Sequence, residues 1–347
     1  MSMKALTKRK PGPGADYGPV DDLRLNGDQL LIKVYRASIC GSDLPIYNWY
    51  SWAPERFKTP STFGHEFCGD VVEIGANARD FKKGDFVSVE SHIFCGLCYQ
   101  CRNGQRHVCR EMKIIGVDGP GGFGEYAAVP ARCAWKHKDD ALKDIGSLME
   151  PFGNAVYSVL VEEVACKSVL VMGCGPQGLF SIAVAKAGGA DTIVAVEGSE
   201  FSADLARQMG DTAVVDPARH NVLSEILKAG GVKDGYDVVV EMSGAPAAIN
   251  LALKAVRSGG RVTAFGIPPG KIEIDWANDV IFKGVRIHGI VGRQIFETWY
   301  KTDHLLRSGA VDVRPLITHT FPLADYEKGF AAMTSPDKKC GKVLFVP

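Results

Sequence analysis

The sequence predicts an α/β protein in which an irregular, β-rich domain is interrupted by a doubly wound parallel sheet of six strands. Two observations lead to this prediction. The first part of the chain contains short apolar runs separated by glycine, proline and aspartate, a spacing typical of compact β domains. Beyond residue 150, strand-like runs alternate with helical segments, which is the pattern of a parallel sheet with crossover helices. With 347 residues, the chain is long enough to bury the cores of two domains.

The elements follow this division in order. In the first part of the chain, up to about Gly153, strands are predicted at Gln29–Tyr35, Gly69–Ile74 and Gly84–Val89. A helical pattern then runs from Pro151 to Leu160. Six strands follow it, at 168–172, 192–196, 213–215, 237–241, 261–265 and 285–290.

Past Arg293 the alternation stops. Helices near 296–307 and 323–333 and a strand at 342–346 remain, and they are too few to make a core of their own. We therefore expect the tail to rejoin the first domain, so that 1–153 and 294–347 form one domain and 154–293 form an inserted one. Ligands are expected in the cleft between them.

A glycine-rich turn follows the first strand of the inserted domain. The apolar strand Ser168–Met172 ends in Gly173, Gly175 and Gly178, and Leu179–Ala187 then reads as a helix. This G-x-G-x-x-G spacing allows a tight turn, a close approach of pyrophosphate to the backbone, and close packing of helix on strand. The N-terminal N–H groups of the helix would face the phosphates. The pattern predicts a dinucleotide-binding turn, which includes Pro176 and Gln177.

Glu197 ends the next predicted strand, Thr192–Val196. It lies about 20 residues after the glycine turn, where an acidic side chain takes the ribose hydroxyls of NAD and repels the 2′-phosphate of NADP. The sequence therefore favours NAD. The alternative is a solvated carboxylate at a strand end.

Charge and cysteine usage limit the class of protein. Lysine plus arginine equals aspartate plus glutamate at 40 each, so no net field attracts nucleic acid or an anionic membrane. No stretch has the length and apolar character of a transmembrane helix or a signal peptide. Ten cysteines do not make a disulfide-dense secreted scaffold of this size. We therefore expect a cytoplasmic protein whose partners include neither nucleic acid nor membrane.

Four cysteines form a compact C-x₂-C-x₂-C-x₇-C set: Cys95, Cys98, Cys101 and Cys109. Four thiolates at this spacing can close a tetrahedral zinc site without an open position, which is a structural site. An iron–sulfur cluster is the chemical alternative. In the ferredoxin pattern, however, the fourth cysteine comes sooner and is followed by proline, whereas Arg110 follows here. Zinc is therefore expected to stabilise the folded conformation of this loop, which has few apolar residues of its own.

A second set of possible ligands is scattered: Cys40, and His65 next to Glu66. From spacing alone, a buried thiol and a hydrogen-bonded histidine are the simpler explanations. However, the glycine-containing segment around His65 and Glu66 resembles the zinc signature of the medium-chain alcohol dehydrogenases, and Cys40–Asp43 resembles their first ligand segment. The four-cysteine loop and the mid-chain nucleotide domain match this family in the same order. The resemblance spans the chain and implies a GroES-like catalytic domain interrupted by a Rossmann domain.

By this resemblance, a catalytic zinc would be held by Cys40, His65 and Glu66, with Glu150 as fourth ligand or exchange partner. His92 would line the zinc pocket, and the hydroxyl of Ser42 would relay the proton of an alcohol substrate. Cofactor contacts would come from the glycine-rich turn, from Glu197 and from the following residues in matching segments: Ser243, Gly266, Ile267, Ile290, Val291 and Arg293.

The branch of the family that the chain resembles most is the threonine dehydrogenases, through 150–156, 241–246, 266–269, 274–276, 281–284, 292–293 and 296–300. This resemblance implies oxidation of a secondary alcohol, L-threonine giving 2-amino-3-oxobutyrate, with transfer of hydride to NAD. Arg293 and Glu297 are candidates for binding the charged groups of an amino acid. Alternatively, Arg293 faces the cofactor and Glu297 serves its own helix end.

The chain departs from this branch at Pro45, where the threonine dehydrogenases carry a histidine that completes the proton relay. Because proline cannot carry a proton, either the proton leaves through His92, water or the cofactor ribose, or the substrate is a polyol or sugar. Gln177 and Ser202 also replace family residues near the nucleotide. A non-catalytic nucleotide-binding protein is a further alternative, since fold does not fix function.

The resemblance also bears on assembly. The family is commonly tetrameric, and an exposed sheet edge near Val285–Ile290 could pair across a two-fold axis. We expect a homo-oligomer, with a tetramer favoured and a dimer as the alternative.

Overall fold

The computed structural model describes residues 3–21, 23–210, 212–337 and 339–347. The chain divides into two compact units, one formed by the residues up to Pro151 together with Ile317–Pro347, and the other by Phe152–Leu316. The sequence predicts these boundaries after residues 153 and 293, so the return to the first unit comes later than expected. The reason is that the helix Glu297–Arg307 and the short turn Arg314–Leu316 both belong to the second unit, in which Arg314–Leu316 lies against the helix Glu200–Gly210.

The strands alternate with short connections in the first unit and with helices in the second. In chain order they are β1 Met3–Lys8, β2 Asp16–Val20, β3 Gln29–Ser38, β4 Ser61–Thr62, β5 Glu66–Ile74, β6 Phe86–Val89, β7 His92–Ile93, β8 Lys113–Ile114, β9 Tyr126–Pro130, β10 Ala134–Lys136, β11 Ser168–Met172, β12 Thr192–Val196, β13 Ala213–Val215, β14 Tyr236–Glu241, β15 Val256–Ala264, β16 Arg286–Gly289, β17 Ile317–Pro322 and β18 Lys342–Val346.

The first three helices have four to six residues, and the later ones have eight or more. They are α1 Asp43–Asn48, α2 Ala53–Arg56, α3 Tyr99–Arg102, α4 Met149–Leu160, α5 Pro176–Ala187, α6 Glu200–Gly210, α7 Val222–Ala229, α8 Pro246–Ala255, α9 Glu297–Arg307 and α10 Tyr326–Thr334. Among the described residues, no helix combines the length and apolar character that crossing a membrane requires.

The main sheet of the first unit is built around β3, in the order β10-β6-β5-β3-β18-β17, and β9 also pairs with β3. Its core carries a cluster of buried aromatic residues that includes Phe63, Phe67, Phe123, Phe330 and Phe345. Because β17 and β18 come from the C-terminal segment, this part of the tail rejoins the first unit. The strand at 342–346 is confirmed, whereas β17 was not predicted, because its residues are half-buried or exposed and lack a clear apolar alternation.

The sheet of the second unit is parallel throughout and has the order β13-β12-β11-β14-β15-β16. This is the order of a doubly wound Rossmann sheet, which confirms the predicted fold class. The first three strands lie where the sequence predicts them, and β11 is buried along its whole length. β15 begins earlier than predicted, because Val256 pairs with Tyr236 before a register irregularity.

Candidate active site

The structure brings the scattered ligand set of the first unit together. One ligand atom each from Cys40, His65 and Glu66 lies within 4.8 Å of the others. The sheet explains this convergence, because β3 ends at Ser38, β5 begins at Glu66, and these two residues face each other in the antiparallel ladder. Cys40 follows the end of one strand and His65 precedes the start of the other.

Asp43 contacts two of the candidate ligands, Cys40 and His65. Its Oδ2 accepts the N–H of Cys40 at 2.9 Å, and its Oδ1 lies 3.5 Å from Nδ1 of His65. Burial lowers the pKa of His65, but Asp43 and Cys40 outweigh that effect and raise it well above its ordinary value. Ser42 lies on the other side of the ring, with its Oγ 3.4 Å from Nε2.

Glu66 is held by two groups that sequence reasoning missed. The ammonium of Lys342, from β18, contacts Oε2 of Glu66 and also donates to the carbonyl of Ile39 at 2.8 Å. The hydroxyl of Ser38 contacts the same carboxylate oxygen. Lys342 is 3% exposed, so the pair is removed from water. A lysine in the otherwise apolar strand Lys342–Val346 was the available signal, but its partner is 276 residues away.

Glu150 and His92 lie in a hydrogen-bonded group beside this set. Oγ of Ser91 donates to Oε1 of Glu150 at 2.6 Å and lies 3.2 Å from Nδ1 of His92. The same ring nitrogen lies 2.9 Å from Oε1 of Glu90. Burial raises the pKa of Glu66, Lys342 opposes this shift, and the charge of Glu150 reinforces it. Glu150 is therefore an electrostatic neighbour of the candidate ligands.

Pro45 occupies the position of the expected relay histidine. It lies in the first turn of α1 and is buried. Proline is tolerated there because the first turn of a helix leaves its N–H groups unpaired in any case. The substitution therefore keeps the helix that follows Ser42 and removes only a side chain that could carry a proton.

The four-cysteine loop forms a second compact ligand set. The sulfurs of Cys95, Cys98, Cys101 and Cys109 all lie within 4.8 Å of one another. Backbone N–H groups point at these sulfurs, for example from Cys95 to Sγ of Cys109 at 3.3 Å and from Cys98 to Sγ of Cys95 at 3.4 Å. Such N–H groups lower the pKa of Cys98 to about 6. Burial raises the pKa of Cys101 to about 12. Four convergent sulfurs fit a closed tetrahedral zinc site.

The glycine-rich turn of the second unit has the geometry that dinucleotide binding needs. Gly173 has a φ of 88°, and a Cβ at Gly178 would lie 1.8 Å from the carbonyl oxygen of Gly173. Gly175 is exposed, and a Cβ built there would have no neighbour within 4 Å. Helix α5 begins directly after it, at Pro176, so its first N–H groups face the open side of the turn. Gln177 is half-buried in the first turn of this helix.

A cavity of about 490 Å³ lies at the carboxyl ends of β11, β12 and β14. Among its lining residues are three that the sequence singled out, Gly173, Glu197 and Ser243. The carboxylate of Glu197 accepts the N–H of Cys174 and the N–H of Ser199, both at 2.8 Å. This carboxylate is therefore fixed at the end of β12, on the wall of the cavity.

Two protein-family models match the chain. The model of the alcohol dehydrogenase GroES-like domain matches residues 26–139, and that of the zinc-binding dehydrogenases matches residues 176–308. The L-threonine 3-dehydrogenase of Pyrococcus horikoshii is 46% identical over 345 residues, which cover 99% of this chain and 98% of the relative. The chain belongs to the zinc-dependent medium-chain alcohol dehydrogenases.

Two solved structures of such dehydrogenases superpose on the whole chain. A zinc-binding dehydrogenase from Sinorhizobium meliloti 1021 bound to NADP has a TM-score of 0.91 at 29% identity, with 100% of both chains covered. The 2R,3R-butanediol dehydrogenase from Bacillus subtilis has a TM-score of 0.89 at 30% identity, with 99% of both chains covered. This medium-chain dehydrogenase is therefore an oxidoreductase that uses zinc and a nicotinamide dinucleotide and acts on a small molecule.

Glu241 is a further residue of this dehydrogenase that sequence reasoning did not assign to the site. Its buried Oε1 accepts the N–H and the hydroxyl of Ser243, at 2.9 and 2.6 Å, and the N–H of Gly244 at 3.0 Å. Its carbonyl oxygen accepts the N–H of Phe265 at 3.0 Å and that of Gly266 at 3.2 Å. One residue thus joins the loops that follow β14 and β15.

The remaining predicted residues have diverse surroundings. Ile267 and Val291 are 89% and 54% exposed, whereas Ile290 is buried. Arg293 is also buried, and its Nη1 donates to Oδ1 of Asn154 at 2.8 Å. Glu297 lies on the exposed side of α9 and pairs with Lys301 at 2.8 Å.

Proposed function

We propose that this dehydrogenase oxidises L-threonine at its secondary hydroxyl to 2-amino-3-oxobutyrate, with NAD as hydride acceptor and a catalytic zinc ion bound by Cys40, His65 and Glu66. The observation that carries the proposal is the convergence of a thiol, an imidazole and a carboxylate on one point of the first unit. The substrate is inferred from the relative of Pyrococcus horikoshii, which is 46% identical over nearly its whole length and is a threonine dehydrogenase.

The ligand set determines what the metal would do. Three protein ligands would leave a zinc ion a position for a substrate oxygen. A bound zinc ion would supply the acidification of the hydroxyl, and NAD would supply the hydride acceptor. The residues around it keep the ligands in place: Asp43 orients His65, and Lys342 holds one oxygen of Glu66. Ser42, with its hydroxyl 3.4 Å from Nε2 of His65, is close enough to the ligands to receive the proton of the alcohol.

The structural zinc would be bound by Cys95, Cys98, Cys101 and Cys109. With four thiolates and no open position, this site would stabilise its loop and take no part in the chemistry. All ten cysteines of the chain are free thiols, and thiolate sites of this kind need a reducing environment. We therefore propose a cytoplasmic location.

The dinucleotide would lie against the glycine-rich turn, with its pyrophosphate near Gly175 and the first turn of α5. We assign the cofactor contacts to the following residues: Gly173, Gly175, Pro176, Gln177, Gly178, Glu197, Ser243, Gly266, Ile267, Ile290, Val291 and Arg293. Glu197 supports NAD over NADP, because its carboxylate is fixed by two backbone N–H groups and would repel a 2′-phosphate.

The second candidate is a polyol or sugar dehydrogenase with the same zinc site. Pro45 favours it, because the relay histidine of the threonine dehydrogenases is missing. The structural similarity to a butanediol dehydrogenase also supports a substrate with neighbouring hydroxyl groups.

We further propose a homo-oligomer that forms through the free edge of the second unit's sheet. β16 is the last strand of that sheet, and Arg286, Ile287 and Gly289 on it are exposed. Nearby, Ile281 and Phe282 are 60% and 79% exposed. An unpaired edge with apolar neighbours is suited to pairing with a second copy across a two-fold axis.

A substrate panel tests the activity. The zinc-loaded chain is incubated with NAD or NADP and with L-threonine, 2R,3R-butanediol or sorbitol, and formation of the reduced cofactor is followed. We expect the highest kcat/KM for L-threonine with NAD, and a value lower by about tenfold or more with NADP. Turnover of a polyol without turnover of threonine would establish the second candidate instead. Binding of zinc and NAD without any turnover would favour the non-catalytic alternative.

A further inference from the structure

We propose that Ser91 is a positioning residue that holds the carboxylate of Glu150 away from the catalytic metal, so that the fourth position of the metal is available to the alcohol. The inference rests on the proposed zinc site of Cys40, His65 and Glu66. Ser91 itself is neither a metal ligand nor a proton carrier in the proposed reaction.

Besides Asp43, whose carboxylate contacts Cys40 and His65, the buried carboxylates of Glu66 and Glu150 lie near the candidate metal position, and of these only Glu66 belongs to the ligand group. Within the part of the chain that the structure describes, that group consists of Cys40, His65 and Glu66. Glu150 is 5% exposed and close enough for its charge to influence Glu66. Movement of the Glu150 side chain towards Glu66 would therefore bring a further carboxylate to the same metal ion.

The two carboxylates are held by different partners. Oε2 of Glu66 is held by Lys342 and Ser38, which fix this side chain within the ligand group. Oε1 of Glu150 accepts a hydrogen bond from Ser91 at 2.6 Å, the short distance typical of a hydrogen bond to an ionised acceptor. The two carboxylates can therefore respond differently to the loss of one donor.

The backbone around Ser91 is fixed, so its hydroxyl is a stationary donor. Ser91 is 1% exposed, and its carbonyl oxygen accepts the N–H of Ile115 at 2.9 Å. Glu150 lies at the start of α4, whose helical backbone also limits its movement. The side chain of Glu150 is the part of this arrangement that would turn towards the metal if the hydrogen bond from Ser91 were lost.

Glu150 would have opposite effects on the metal site when it is bonded to Ser91 and when it is bound to the metal. With Cys40, His65 and Glu66 alone, zinc has an open position, whereas a fourth protein ligand closes the site in the manner of a structural zinc. Glu150 and the substrate oxygen would then compete for the same position. A hydrogen bond to a charged group shifts such an equilibrium by roughly tenfold or more, so loss of the serine hydroxyl favours the closed site.

The test uses the full-length protein with Co²⁺ in the catalytic site, because the visible absorption of Co²⁺ depends on its coordination. Ser91→Ala is compared with wild type and with Ser88→Ala. Ser88 is a matched control, since it is equally buried, at 1% exposed, and donates to the carbonyl of Gly146 at 2.7 Å instead of to Glu150. A Ser91→Ala/Glu150→Gln double variant and the Glu150→Gln single variant complete the set.

We expect the alcohol to shift the Co²⁺ spectrum of wild type and Ser88→Ala at concentrations that leave Ser91→Ala unchanged. KM for the alcohol should rise by roughly tenfold in Ser91→Ala, with KM for the dinucleotide unaltered. In the Glu150→Gln background, Ser91→Ala should have no further effect on the spectrum. Equal spectra and KM values in Ser91→Ala and wild type, both with metal bound, would overturn the inference. Failure of wild type to bind a metal through Cys40 would instead overturn the proposed function.

Discussion

Lys342 illustrates how single buried charges organise this dehydrogenase. It lies on β18, contacts the candidate zinc ligand Glu66 and donates to the carbonyl of Ile39. Removal of one partner of such a buried pair typically costs about 3–5 kcal/mol, because the other charge is left without water or a counter-ion. The pair therefore links formation of β18 to the geometry of the metal site.

Glu162 offers a test of the charges in the second unit. Its carboxylate accepts two hydrogen bonds from Arg286, at 3.1 and 3.2 Å, and lies 2.8 Å from Nε2 of His288. The hydrogen bonds from Arg286, followed by that from His288, lower the pKa of Glu162 to about 2. Because the folded-state value lies below the unfolded one, the stabilisation is present above about pH 4.5 and is lost as pH falls towards 2.

We therefore expect Glu162→Gln to unfold at a lower urea concentration than wild type near neutral pH, and the difference to shrink as pH falls from 6 to 3. Metal loss at low pH affects both proteins and cancels in the comparison. Glu163→Gln, which changes the exposed neighbouring carboxylate, is the matched control and should remain close to wild type. A difference for Glu162→Gln that does not vary with pH would contradict the account.

We expect dinucleotide binding to depend on the turn between β11 and α5. Gly178 lies against the backbone of Gly173, and no other residue fits there without movement of the chain. Gly175 is different, because the space that its Cβ would enter contains no protein atom within 4 Å. One glycine is therefore needed for folding of the turn, and the other for access to it.

These two glycines make a matched pair of variants. Gly178→Ala is expected to reduce the free energy of unfolding by about 1–3 kcal/mol or more, because the methyl group overlaps a carbonyl oxygen. Gly175→Ala is expected to change it by less than about 1 kcal/mol but to weaken NADH binding, since the methyl group occupies the path of the pyrophosphate. Urea unfolding and titration of NADH fluorescence measure the two effects. Equal stability of the two variants would show that the turn is not packed as described.

In the molecule as a whole, features that repeat within short segments could be predicted from the sequence. Features that depend on contacts between distant residues could not. The glycine spacing and the apolar strands β11–β13 predict the parallel sheet and its binding turn, because these features repeat within short segments. The second unit is longer than predicted, because the chain after Arg293 remains in that unit as far as Leu316, where Arg314–Leu316 lies against α6. Lys342 and Ser38 at Glu66 were missed, since a hydrogen bond between distant strands leaves no periodic signal.

The candidate zinc ligands could be predicted from the sequence only in part. Cys95–Cys109 could be recognised from spacing, because the four thiols lie in one loop. Cys40, His65 and Glu66 could not, since spacing alone favours inert side chains, and only the resemblance to a family identified them as a set. The ladder between β3 and β5 provides the physical reason for their proximity.

Zinc content and NADH formation in wild type, Cys40→Ser and Cys68→Ser test whether Cys40, His65 and Glu66 hold the zinc ion on which alcohol oxidation depends. Cys68 is a buried thiol of β5 outside both ligand sets, which makes it the control. We predict two zinc ions per chain and turnover for wild type and Cys68→Ser, against one zinc ion and no turnover for Cys40→Ser with an unchanged melting temperature. Full zinc content and full activity in Cys40→Ser would contradict the account.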